Sequence, residues 1–88
     1  MRVKEGFILR EVAESNVIVA VGEASRHFKG LIKINETGAF IFRELQKGNF
    51  DTDYLASLLA NEYDVDKGAA KVDVEVFIKS LKDAKIVE

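Results

Sequence analysis

The stretch LIKINETGAFIF, Leu31 to Phe42, changes periodicity halfway along. Leu-Ile-Lys-Ile has the β-branched, extended character of a strand, while Gly38-Ala39-Phe40-Ile41-Phe42 reads as the first turns of a buried helix. Only Asn35 stands at the junction. Its side-chain oxygen is suited to accept from the free N–H groups of the next turn, so a helix can start with no loop before it. Glu36 then falls in the first turn, where a negative charge suits the positive end of the helix dipole. Ala39, Phe42, Ile41 and Leu45 make one apolar stripe, and Gly48 is placed to cap the far end.

Upstream of this junction the chain alternates as strands do. Phe7–Val12 and Val17–Val21 are rich in β-branched and aromatic residues. Ala13–Asn16 separates them, with Ser15-Asn16 as turn chemistry, and predicts a hairpin. Val17, Val19 and Val21 share one face while Ile18 and Ala20 share the other. Two apolar faces suit a sheet covered by helices on at least part of its second side. Gly22–Ser25 reads as a loop. A third strand is expected from about Phe28 to Ile34, with Gly30 inside it marking a bulge or a close backbone approach.

Downstream, helices follow. A second helix is expected from Asp51 or Thr52 to about Glu62, burying Leu55, Leu58, Leu59 and Tyr63. Asp64-Val65-Asp66 closes it and caps a third helix from about Lys67 to Ala84. On that helix Ala70, Val74, Phe77, Ile78 and Leu81 form the core face. A flank carries Ala69, Val72 and Val76, with Asp73, Lys79 and Ser80 around them. Valine is a mediocre helix former, so a merely wet face would favour Ala, Glu or Lys. This second apolar stripe suggests one wall of a groove. Ile86-Val87 would add a short strand or an apolar tuck. The whole is an α+β pattern: a three-stranded antiparallel sheet followed by three helices, in a winged-helix-like arrangement.

Composition limits the function. A chain of 88 residues predicts a single domain, residues 1–88. It has 13 Lys and Arg against 15 Asp and Glu, a net charge of -2 that argues against nucleic acid as a partner. Arg26, His27, Lys29 and Lys33 form a basic run and Asp51–Asp66 an acidic one, each expected as a solvated face. No apolar run is long enough for a membrane span or a signal segment, so a cytoplasmic protein without a membrane partner is expected. Cysteine is absent, which removes thiol chemistry. His27 is the single histidine and is expected at the surface. No metal-ligand spacing and no phosphate-binding glycine motif occurs, so neither catalysis nor a cofactor is expected.

In this order the features resemble the PqqD family, whose members are small peptide-chaperone proteins also known as RiPP recognition elements. The resemblance is carried by GFILREV, VIVAVGE, LIKINETGAFIF with RELQKG, LASLLANEYDVD and DVEVFIKSLKDAKIVE, nearly the whole chain. Two departures stand out: Phe42 where the family commonly has tryptophan, and Lys85 where a glycine usually precedes the final apolar pair. The resemblance implies the family fold. It also implies binding of the leader segment of a ribosomally made precursor peptide, as in PQQ biosynthesis, and its presentation to a modifying enzyme, commonly a radical S-adenosylmethionine protein.

With that fold granted, a third strand at the sheet edge would template an extended peptide, and the third helix would wall the groove. The expected peptide-binding residues are Lys29, Gly30, Leu31, Ile32, Lys33 and Ile34 on the strand. Ala69, Val72, Asp73, Val76, Lys79 and Ser80 are expected on the helix. Lys29 and Lys33, with Arg26 nearby, would favour an acidic leader. The competing classes are a winged-helix DNA-binding regulator and a module that forms a homodimer through the same free strand.

Overall fold

The computed structural model describes residues 1–28 and 30–88. Strands β1 (Phe7–Val12), β2 (Ser15–Ala20) and β3 (Leu31–Ile34) precede helices α1 (Glu36–Leu45), α2 (Thr52–Tyr63) and α3 (Lys67–Asp83). The sheet is antiparallel throughout, in the order β1-β2-β3. This is the α+β, winged-helix-like arrangement that the sequence predicts.

The hairpin is tighter than expected. Val12 pairs with Ser15, so the turn is Ala13-Glu14, and Ser15-Asn16 already belongs to β2. Both turn residues have positive φ, 49° and 68°. That is the backbone two-residue hairpins favour because it matches the twist of the strands. Alanine and glutamate do not announce it. Gly22–Ser25, expected as a loop, is instead most of a 3-10 turn, Gly22–Arg26. The third strand is also shorter than Phe28–Ile34: Phe28 packs edge-on against Phe7, and Gly30 precedes the strand at φ +89°.

Pairing register assigns the faces. Leu9, Ile18 and Ile32 lie in one cross-strand row facing the helices, and Arg10, Val17 and Lys33 lie in a row on the opposite face. Ile18 is fully buried and belongs to the core with Phe7, Ile41, Phe42, Leu45, Leu55, Leu59, Val74, Ile78, Leu81 and Ile86. Val17 is buried too, yet it stands outside that core. Its cross-strand neighbours on that face are Arg10 and Lys33, one on either side.

Each helix begins as its capping residue dictates. Asn35 Oδ1 accepts from the Gly38 N–H at 2.8 Å, Asp51 Oδ1 from Tyr54 at 2.8 Å and Asp66 Oδ2 from Ala69 at 3.2 Å. The end of α1 differs from expectation. Gln46 rather than Gly48 ends α1. On α2, Tyr63 is exposed and meets Phe40 edge-on, Leu58 is only half-buried, and Ala56 takes the fully buried place. After α3 the chain reverses through Lys85 at φ 61°, with the Ile86 N–H donating to Leu81 O at 2.9 Å and the Lys85 N–H to Lys82 O at 3.0 Å. This is the Schellman closure normally served by glycine. The lysine noted as a departure therefore adopts the glycine-like backbone. Ile86 and Val87 are buried, and Val87 bridges Val3.

Candidate functional site

The junction at Asn35 sets the site. Because α1 starts where β3 stops, the outer edge of β3 runs beside the N-terminal turn of α1. Among the described residues no strand pairs with that outer edge. Its N–H and C=O groups are thus a template for another extended chain. Beside it opens a cleft of about 460 Å³, lined by Ile32, Lys33, Ile34, Asn35, Thr37, Gly38, Ile41, Asp73, Val76, Phe77 and Ser80.

The far wall is one stripe of α3. Asp73, Val76, Phe77 and Ser80 recur at helical spacing and present an acid, two apolar groups and a hydroxyl in that order. Val76 is 67% exposed, so it costs the core nothing and is available to a guest. Phe77 is half-buried, with its ring against Gly38; a Cβ at that position would stand 3.0 Å from Phe77 Cε1. Glycine inside the first turn of α1 is what lets the ring close the floor of the cleft. Ser80 Oγ donates to Phe77 O at 2.6 Å, and Thr37 Oγ1 donates to Asn35 Oδ1 at 3.0 Å. Both hydroxyls therefore spend their protons locally and keep lone pairs free.

Of the expected site residues, the structure brings together Ile32, Lys33, Ile34, Asp73, Val76 and Ser80 around this cleft. Leu31 lies on β3 but is 58% exposed, on the outer sheet face with Lys33. Gly30 lies just before the strand, and Lys29 lies outside the described residues. Ala69 and Val72 are exposed without lining the cleft, and Lys79 turns away to Asp83 at 3.1 Å. Arg26 is paired with Glu23 at 3.3 Å. Sequence reasoning missed Asn35, Thr37, Gly38, Ile41 and Phe77 as lining residues. Phe77 was assigned to the core face; its position between the core residues Val74 and Ile78 and the flank of Asp73, Val76 and Ser80 was the available signal.

A second cleft, about 480 Å³, is lined by Lys4, Glu5, Phe7, Glu23, Ala24, His27, Phe28, Ala84 and Lys85. It is slightly larger but lies at the β1 side, away from the free edge of β3, and its rim mixes both charges. Of the two clefts, the one beside β3 sets three residues of an unpaired strand edge against side-chain pockets, whereas Phe7 alone of β1 lines the other. The β1 edge itself lacks a helical wall along its outer half: Arg10, Glu11 and Val12 are all exposed.

A sheet edge and a helical wall converge on one groove in a small winged-helix-like α+β fold. The family model of coenzyme PQQ synthesis protein D (PqqD) matches residues 17–87, and the chain belongs to that family. Among solved structures, TbiB1 in complex with the TbiA(beta) leader peptide superposes with a TM-score of 0.75 at 16% identity, covering 100% of this chain and 95% of that one. A lasso peptide synthetase B1 complexed with the leader peptide gives 0.68 at 22% identity, covering 93% and 89%. At these identities the likeness establishes the shared fold. No curated protein matches the chain by sequence. Among the described residues no helix is long and apolar enough to cross a membrane, and no group of His, Asp and Glu is placed to hold a metal ion.

Proposed function

We propose that residues 1–88 act as one peptide-binding domain that captures the leader segment of a ribosomally made precursor by strand addition to β3. The captured leader is presented to a modifying enzyme, with a radical S-adenosylmethionine protein as the foremost candidate. The role is recognition, not catalysis. The observation that carries this reading is the unpaired edge of Leu31–Ile34 directly beside the cleft walled by Asp73–Ser80. Membership in the PqqD family and the two leader-bound structural neighbours support it.

The physics divides the work. Main-chain hydrogen bonds along β3 give attraction that any sequence can share, and the cleft selects side chains. Burying one large apolar leader side chain against Ile41, Val76 and Phe77 contributes roughly 1.5–3 kcal/mol before ordering costs. Titrating isotopically labelled protein with candidate precursor leaders is expected to move the amides of Leu31–Ile34 and Asp73–Ser80. Shifts confined to Asp51–Tyr63 would place the groove elsewhere. The same free edge suits a second copy of the chain, so sedimentation with and without leader must show that peptide and self-association compete if both use β3.

A further inference from the structure

We infer that the peptide taken at β3 is two-sided: apolar residues with a cationic or hydrogen-bond-donating residue toward the helices, and acidic residues toward the outer sheet face. This rests on the strand-addition reading above and gives it a substrate class.

A strand added to β3 continues its pleat, so successive side chains of the guest alternate between the two faces. Those in the rows of Ile32 and Ile34 turn toward the helices; those in the rows of Leu31 and Lys33 turn outward. The two destinations differ in charge. On the helical side the wall is apolar at Val76 and Phe77, and its ionised group is Asp73. Asp73 has no ion-pair partner among the described residues. The neighbouring hydroxyls of Ser80 and Thr37 have already donated their protons, so they too face the cleft as acceptors. Lys33 also lines the cleft but belongs by pleat to the outward row, which leaves the amide nitrogen of Asn35 as the side-chain donor on the helical face among the described residues. An acidic guest residue on this side would meet Asp73 at close quarters and find little to accept from.

On the outer side the sign reverses. Lys33 and Arg10 flank the buried Val17, and neither has a carboxylate partner among the described residues. The register places both cations on one face, in one row on either side of Val17. The position facing outward beside Lys33 in an added strand lies next in that row. An acidic side chain there meets the unpaired charge of Lys33 at the end of the row, whereas a basic one repeats it. The expectation of an acidic leader is thereby confined to alternate positions.

The test uses two synthetic peptides of identical composition, both alternating leucine with charged residues. In the first, glutamates occupy the outward set and one arginine an end position of the inward set; in the second, arginine and one glutamate are exchanged. Binding is measured by fluorescence anisotropy, and its location by amide shifts in labelled protein. The first peptide is expected to shift Leu31–Ile34 and to bind roughly fivefold more tightly, the scale of an exposed ion pair gained and a like-charge contact avoided. Lys33→Glu should erase or invert the preference for outward glutamate, and Asp73→Asn should remove the preference for inward arginine. Equal binding of both peptides at β3, or tighter binding of the second, overturns the charge pattern while leaving strand addition standing. If neither peptide moves β3 while a precursor leader binds elsewhere, the strand-addition reading falls and this inference with it.

Discussion

Two short backbone ladders outside the hairpin register make a contrast: the one joining the two ends of the chain is closed, and the one at the outer edge of β3 is open. At the closed one, the Arg2 N–H donates to Glu88 O at 2.9 Å, Glu88 returns the bond to Arg2 O at 2.9 Å, and the Lys4 N–H reaches Ile86 O at 2.8 Å. Beneath it Ile86 is fully buried, and beside it the Phe50 N–H donates to Met1 O at 2.9 Å. At the open one, β3 pairs with β2 alone, and Leu31 and Val76 nearby are among the most exposed aliphatic side chains of the chain. The backbone chemistry is the same in both. What differs is the ground beneath: a ladder seated on core side chains becomes structure, and one beside a vacant cleft keeps its groups free to pair.

The largest effect should come from attacking the closed ladder. Ile86→Ala removes a fully buried side chain and is expected to cost about 2–5 kcal/mol in urea unfolding, a large part of the stability of a domain this small. Leu31→Ala on the open edge should stay within about 0.5 kcal/mol of the parent. If the two variants lose similar stability, the division between structural and functional ladder is wrong.

Next comes the open side. Val76→Asp places a second carboxylate on the stripe that already holds Asp73, at a position too exposed to unsettle the core. Leader affinity, measured by calorimetry, is expected to fall tenfold or more, about 1.4 kcal/mol, while the unfolding midpoint barely moves. Unchanged affinity would remove α3 from the groove, and a globally unfolded variant would make Val76 a core residue.

Much of this was legible in the sequence because local chemistry and tertiary use agree. Asn35 both caps α1 and ends β3, so one residue announces the junction; of the flank read on α3 as Ala69, Val72 and Val76 with Asp73, Lys79 and Ser80 around them, Val76, Asp73 and Ser80 line the cleft. Phe77 was not legible as a groove residue, since helical phase alone places it with the core. Its exposure depends on Gly38 making room from another helix, a long-range fact. The turns were hidden for a different reason. Ala13, Glu14 and Lys85 hold positive φ without being glycine, whereas Asp64, also at positive φ, closes α2 where the sequence places its end. Tertiary packing imposes these conformations against residue preference, and the sequence therefore carries no turn signature there.

That mismatch yields a stabilising prediction at the closed ladder. Lys85→Gly relieves the left-handed strain at the turn that delivers Ile86 and Val87 to the core. It should raise stability by about 0.4–1 kcal/mol in urea unfolding, the gain from an unstrained C-terminal cap exceeding the added chain entropy. Leader affinity should be unchanged, because the turn lies away from β3. A loss of stability would show that the Lys85 side chain contributes more than its backbone costs.

The smallest effect belongs to a brace outside both ladders. Lys71 Nζ stands 3.0 Å from Asp53 Oδ1, joining α3 to α2. The hydrogen bond from Lys71, followed by its charge, holds the Asp53 carboxyl below its ordinary value of 3.8; the same partner raises Lys71 above 10.5. A depressed carboxyl stabilises the folded state fully above its unfolded pKa, and that contribution fades as pH falls from 3.8 through the lowered folded value. A raised amine contributes fully below 10.5 and loses its part as pH rises through the folded value. Both groups are solvent-exposed, so the contribution is small and screened by salt. Lys71→Met is therefore expected to lower Tm slightly near neutrality and to converge on the parent as pH falls from 3.8 through the lowered folded value, with the gap closing in high salt. Since Lys71 lies on the flank of α3 away from the cleft, leader binding should follow the parent at every pH where both are folded; a binding defect in this variant would extend the peptide surface around α3 and blur the contrast between the two ladders.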